Sequence, residues 1–166
     1  MHTGIYVIMG VAGSGKTTIG ALLAHALDIP FVEGDELHPR ANIERMAHGI
    51  PLTDEDRRPW LLAIAQGLRE AEQSGRGLVV TCSALKRSYR DLLRSQGAAE
   101  TRFVYLRGNH PTVAERLARR RGHFMPASLL ESQFAALEEP GTDERASVHD
   151  IRESPEAIVA DLVQST

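Results

Sequence analysis

Short uninterrupted apolar runs alternate along this chain with stretches whose apolar residues recur every three or four positions. Ile5 to Met9, Leu78 to Cys82 and Phe103 to Leu106 are continuous runs of the kind that suits strands buried on both faces. Pro30 to Glu33 and Ala146 to Asp150 are weaker runs of similar length, so five strands are expected. Ile19, Leu22, Leu23, Ala26 and Leu27 fall on one face of a helix that would begin near Gly15. Later helices carry start signals: Ser88 with Asp91 three residues on, His110 followed by Pro111, and Ser154 followed by Pro155. Thr53 and Asp56 look like a capping box, but Pro59 would remove a backbone hydrogen bond inside that helix, which favours a start nearer Pro59. Strand and helix alternate throughout, which implies right-handed crossovers into a parallel sheet covered on both faces, a three-layer α/β architecture. Ligands of such folds gather at the carboxyl ends of the strands.

Composition narrows the class without naming a function. The 166 residues are 42% hydrophobic and 25% charged, enough for one globular domain spanning 1–166, and no repeat or linker divides them. A net charge of −3 argues against a nucleic-acid partner held by non-specific attraction, although local arginines could still hold a phosphorylated ligand. Cys82 is the one cysteine, and the histidines show no zinc-site spacing, so a reducing, cytoplasmic setting is expected. The apolar run before Gly13 is too short for a membrane span and lacks a basic leader, so no membrane partner is expected and the run reads as a buried strand.

Gly10-Val11-Ala12-Gly13-Ser14-Gly15-Lys16-Thr17 fits the phosphate-loop pattern G-x-x-x-x-G-K-[ST], placed where the mechanism needs it, between an apolar strand and an amphipathic helix. The glycines let backbone N–H groups turn inward on a phosphate, and the helix N-terminus adds partial positive charge. Lys16 would reach the β- and γ-phosphates, Thr17 would offer its hydroxyl to Mg²⁺, and Thr18 continues the nucleotide-binding turn. No guanine-reading Asn-Lys-x-Asp segment is present, so ATP is the preferred nucleotide. The third strand does not end in the aspartate that motor and transport ATPases use for Mg²⁺, which points towards small-metabolite kinases. Glu33 and Asp35 follow the second strand on the same sheet edge. Asp35 is the candidate to orient an acceptor hydroxyl, and Glu33 could hold a water of the Mg²⁺ shell; both could instead be a solvated acidic loop.

Gly34-Asp35-Glu36-Leu37-His38-Pro39, Asn42, Met46, Gly49-Ile50-Pro51-Leu52 and Asp54-Glu55-Asp56-Arg57-Arg58-Pro59-Trp60-Leu61 closely resemble the gluconokinase family. The likeness continues through Cys82-Ser83-Ala84-Leu85-Lys86-Arg87, Tyr89-Arg90-Asp91, His123-Phe124-Met125, Gln133-Phe134 and Glu139-Pro140-Gly141, nearly the whole chain. The resemblance implies transfer of a phosphoryl group from MgATP to the C6 hydroxyl of D-gluconate, on a P-loop kinase fold similar to shikimate kinase, and it suggests a homodimer. Gluconate carries a carboxylate, which wants a cationic partner, and a row of hydroxyls. Arg57, Lys86 and Arg90 are candidates for the carboxylate, each with a competing reading as a surface charge, while Asp35 and His38 suit hydroxyls. His38 could equally cap the turn before Pro39. Trp60 reads as core or an interface anchor, and Cys82 as a small buried hydrophobe. Shikimate kinases would show Gly-Gly-Gly where this chain has Cys82 to Lys86, and Glu33 stands where an aspartate is expected in many relatives.

Arg116, Arg119, Arg120 and Arg121 crowd the end of a helix before Gly122 and Pro126 break the pattern. Some of that charge complements the helix dipole, but adjacent arginines repel and would be relieved by phosphates, so a mobile helical lid over about 119–130 is the functional reading. By similarity to related kinases, Arg120 would close over the nucleotide and stabilise the transferring group, and His123 would reach gluconate from the lid. Arg152 to Pro155, with Pro155 against the base, would wall the adenine by the same likeness.

Overall fold

The computed structural model describes residues 2–120 and 126–166. In chain order the elements are β1 (Ile5–Met9), α1 (Lys16–Leu27), β2 (Phe31–Glu33), a 3₁₀ turn (Gly34–Leu37), α2 (Arg40–Ala47), α3 (Asp54–Ser74), β3 (Leu78–Thr81), α4 (Arg87–Gln96), β4 (Arg102–Arg107), α5 (His110–Arg119), α6 (Ala127–Ala136), β5 (Ala146–Asp150) and α7 (Pro155–Gln164). The five strands form one parallel sheet in the order β2-β3-β1-β4-β5. Chain order therefore reverses at β1, the place where open α/β sheets bind ligands.

Strand alternation divides the core between the two faces. Tyr6 and Ile8 of β1 join Ile19, Leu23, Val104, Ile158 and Leu162 under α1 and α7. Ile5, Val7 and Met9 point the other way and join Trp60, Ile64, Leu68, Val80, Leu93 and Phe103 under α3 and α4. All five β1 residues are buried, which is why the segment reads as an unbroken apolar run.

Two expected helix starts are corrected. α3 begins at Asp54 and carries Pro59 inside it. The Thr53 capping box is complete: Thr53 Oγ1 accepts from Asp56 N at 3.0 Å, and Thr53 N donates to Asp56 Oδ2 at 3.0 Å. Asp54, Glu55 and Asp56 also place carboxylates at the positive helix end, and the buried stripe Trp60, Leu61, Ile64, Ala65 and Leu68 offsets the one bond that Pro59 lacks. At α4, the Ser88–Asp91 pair is not a cap: Lys86 occupies the N-cap position, and the Arg87 N–H donates to Glu138 Oε1 at 2.8 Å. Asn109 caps α5 through Thr112 N, and Ser154 caps α7 through Ala157 N with Pro155 at the first helical position. Among the described residues no helix is long and apolar enough to cross a membrane.

Candidate active site

The phosphate loop runs from the end of β1 into α1 and is stitched to its surroundings by polar groups. Gly10 N donates to Ser83 O at 3.2 Å, and Lys16 Nζ folds back on Gly10 O at 3.1 Å and Val11 O at 3.0 Å. Gly15 caps α1 with φ of 100°, a left-handed conformation that side chains resist, which frees the following amides to face a ligand. Burial pushes Lys16 below the usual lysine range, and the charges of Asp35 and Glu33 pull it back, while Arg120 adds to the lowering. Asp35, Glu33 and Arg120 thus all lie within electrostatic reach of Lys16. Ser14 Oγ is buried and has no partner among the described residues, an orphaned hydroxyl inside the cradle that fits a phosphate-bearing ligand.

Thr17 Oγ1 donates to Glu33 Oε2 at 2.6 Å, and the other carboxylate oxygen accepts from Thr81 Oγ1 at 2.5 Å. Thr81 Oγ1 in turn accepts from Gly34 N at 3.0 Å. β3 thus ends in a threonine that orients Glu33, and Glu33 orients the hydroxyl expected on Mg²⁺. Only glycine fits at 34, since a Cβ there would lie 1.8 Å from Thr81 O. The Gly34 carbonyl accepts from Trp60 Nε1 at 2.8 Å, which makes Trp60 a core residue that anchors the turn bearing Asp35.

His38 stacks on Trp60 with ring centroids 4.0 Å apart, and its Nδ1 lies 3.4 Å from Asn42 Nδ2. Burial pushes its pKa down to about 4, against the pull of Asp35, so the ring is neutral at neutral pH. It can therefore share hydrogen bonds with hydroxyls rather than compete for a carboxylate.

A cleft of about 490 Å³ opens between the start of α3, Lys86 and α6, lined by Thr53, Asp54, Arg57, Lys86, Ser132 and Ala136 among others. Arg57 Nη1 donates to Tyr89 Oη at 2.7 Å, Tyr89 Oη donates to Asp54, and Lys86 Nζ pairs with Asp54 Oδ1 at 2.9 Å. Both cations also lie over the Tyr89 ring, at 5.4 Å for Arg57 and 5.8 Å for Lys86. Asp54 is held below the usual carboxylate range by the Tyr89 hydrogen bond first and by Lys86 second. The cleft thus offers two cations, one of them already engaged by a carboxylate.

Arg90 is the expectation that the structure corrects. It is fully buried, forms a fork with Glu144 at 2.7 and 3.1 Å, and donates to Ala84 O at 2.8 Å and Leu85 O at 3.2 Å. Burial would raise Glu144, but the Arg90 hydrogen bonds, the Gly141 N–H and nearby arginine charge bring it down to about 2. Arg90 faces inward because this carboxylate and these carbonyls need a buried cation. It shapes the Lys86 loop, where Ala84 takes a left-handed φ of 46°, and does not reach the cleft. Cys82 is also buried, with burial first among the causes that push its thiol up to about 12, as befits a small hydrophobe.

Arg120 ends α5 and is exposed; His123 lies outside the described residues, as does most of the expected lid. Pro155 opens α7, which packs beside α1. Sequence reasoning missed three residues. The Arg116 guanidinium reaches the phosphate loop, 4.0 Å from where a Gly15 Cβ would stand, and its Nη2 donates to Ile151 O. Gln133 Oε1 accepts from Ala12 N at 2.7 Å, and Asp54 sits between the cleft cations. Arg116 stood in the arginine run, and the other two within the family-like segments, but only tertiary proximity distinguishes them.

Comparison with known proteins decides which small-metabolite kinase this architecture belongs to. The family model described as shikimate kinase matches residues 12–165. The chain is 45% identical over 161 residues to the thermoresistant gluconokinase of Escherichia coli (strain K12), covering 96% of this chain and 91% of that protein. It is 49% identical over 158 residues to the gluconokinase of Gluconobacter oxydans (strain 621H), covering 95% and 88% respectively. This chain belongs to the gluconokinases, within the wider shikimate kinase family. A solved gluconokinase from Sinorhizobium meliloti 1021 superposes with a TM-score of 0.85 at 45% identity, covering 98% of this chain and 95% of that one. Like other gluconokinases, the protein is a P-loop phosphotransferase that uses ATP on a small-molecule acceptor.

Proposed function

We propose that this protein transfers the γ-phosphoryl group of ATP to the C6 hydroxyl of D-gluconate, giving 6-phospho-D-gluconate and ADP. The observation that carries the reading is the cleft lined by the cations Arg57 and Lys86, between the start of α3 and α6, in a chain 45–49% identical to gluconokinases. In this reading Lys86 and Arg57 take the gluconate carboxylate, replacing Asp54 as its competitor, and His38 takes a hydroxyl. Asp35 accepts a hydrogen bond from the C6 hydroxyl and aims its oxygen at the γ-phosphorus. The P–O bond to the γ-phosphorus forms as the bond to the β–γ bridging oxygen breaks, and the hydroxyl proton passes to Asp35. The backbone amides from Gly13 to Thr18 and Lys16 hold the phosphates, while the Ala12 amide stays with Gln133; Arg116 and Arg120 supply charge at the transferring group, and Pro155 flanks the adenine.

Thr17 and Glu33 fit a Mg²⁺ shell, the first as a direct ligand and the second through water, since the two already share a hydrogen bond. Mg²⁺ would neutralise charge on the β- and γ-phosphates. The remainder of the reading is one kinase domain over 1–166, a lid over about 119–130 that carries His123 and excludes water, a cytoplasmic setting, and assembly as a homodimer. ADP release measured over gluconate, shikimate, other sugar acids and nucleoside monophosphates tests the acceptor. Gluconate-dependent turnover with phosphate on C6, read by NMR, is the expected result; strong turnover only on another acceptor would overturn it.

A further inference from the structure

The segment from Gln133 to Glu138 has its two ends fixed to the two sides of the site. At one end Gln133 Oε1 accepts from the phosphate-loop amide of Ala12 at 2.7 Å. At the other, Glu138 N donates to Leu85 O at 2.8 Å and Glu138 Oε1 accepts from Arg87 N at 2.8 Å, so Glu138 clasps the backbone on both sides of Lys86. Between them, Ala136 and the preceding Ser132 line the cleft. Leu137 and Phe134 pack against the core, and His110 of α5 meets the Phe134 ring at 5.2 Å, which limits how far this segment can shift as a unit.

We propose that the Gln133–Glu138 segment is a brace that sets the spacing between the phosphate loop and the Lys86 loop, with Gln133 and Glu138 as positioning residues for phosphoryl transfer. The physical case is one of span. Acceptor oxygen and γ-phosphorus must be held at about 3–3.5 Å in line, and an error of about 1 Å costs about 100-fold. The two loops meet at their bases, where Gly10 N donates to Ser83 O at 3.2 Å, but further out it is this segment that bonds to both, at Ala12 and on either side of Lys86. Release of either end lets the Lys86 side drift relative to the phosphates, so water competes better with the acceptor. Nucleotide affinity should hardly change, because the phosphate loop keeps its own internal bonds.

The inference rests on the gluconate reading, and wild-type turnover on gluconate is the control that separates the two; should another acceptor prove to be the substrate, the same ratios are read with it. Gln133→Ala and Glu138→Ala are each expected to lower kcat about tenfold and raise the ratio of acceptor-independent ATP hydrolysis to acceptor phosphorylation about fivefold, with the Kd for ADP within about twofold. The double variant is expected to be no worse than the worse single by more than about twofold, since a brace already released has little left to lose. Gln133→Met keeps the length and packing of the side chain without the accepting oxygen and should behave as Gln133→Ala does. Unchanged kcat in the Gln133 variants, multiplication of the single effects in the double variant, an unchanged hydrolysis ratio, or loss of the fold in both Gln133 variants would overturn the proposal.

Discussion

The nucleotide side and the acceptor side of this site share one sheet edge but are built in opposite ways. The phosphate loop is eight consecutive residues, Gly10 to Thr17, whose shape is set by left-handed glycines and by Lys16 folding onto its own loop. The acceptor cleft is drawn from the start of α3, the β3–α4 loop and α6. The loop's own residues set most of its shape, whereas an assembled cleft depends on distant ones. Arg90 and Lys86, four residues apart, illustrate the second case: one is buried in a structural fork with Glu144, the other opens on the cleft.

The sharpest test of this contrast is Lys16→Ala, which should cut kcat by about 100-fold or more while the thermal unfolding midpoint holds. Normal turnover would break the nucleotide half of the comparison. Arg90→Met should do the reverse, costing about 3–5 kcal/mol of unfolding free energy because Glu144 is left buried without its cation. Denaturant titration checks this, and the double variant with Glu144→Met should recover part of the loss. Asp35→Asn should lower kcat about tenfold with ADP affinity intact. Lys86→Met should raise the gluconate KM about fivefold and leave the ATP KM alone, and a change in both would argue that the cleft and the loop are not separable.

The smallest expected effect is on pH dependence. Burial lowers the His38 pKa from 6.5 to about 4, so below about 6.5 the unfolded chain takes up a proton that the folded chain refuses. The stability due to a neutral His38 is present above 6.5 and declines as pH falls towards 4. His149, also lowered by burial, adds to the same decline. Unfolding midpoints measured across that range should flatten in His38→Gln; an unaltered slope would remove His38 from the account.

Much of the fold was legible because its signals are local. The five strands lie where apolar runs placed them, and Ser154 caps α7 through its own third neighbour; at α5 the expected His110–Pro111 pair lies inside the first turn and Asn109, one residue earlier, is the cap. The start of α3 was misjudged because Pro59 removes one hydrogen bond, while the buried stripe from Trp60 to Leu68 that outweighs it exists only against the sheet. The Ser88–Asp91 pair misled for a related reason: the α4 N-terminus is satisfied by Glu138, 51 residues away.

The amino-acid sequence by itself determined the phosphate loop, the α/β alternation and, through its ordered family-like segments, the gluconokinase resemblance, because each depends on residues close together in the chain. Tertiary structure alone decided which arginine near Lys86 turns inward, that Thr81 and Glu33 orient Thr17, and that Gln133 reaches Ala12 across 121 positions. Those outcomes turn on burial and hydrogen-bond satisfaction, and a polar side chain finds its partner only once the sheet has brought distant segments together.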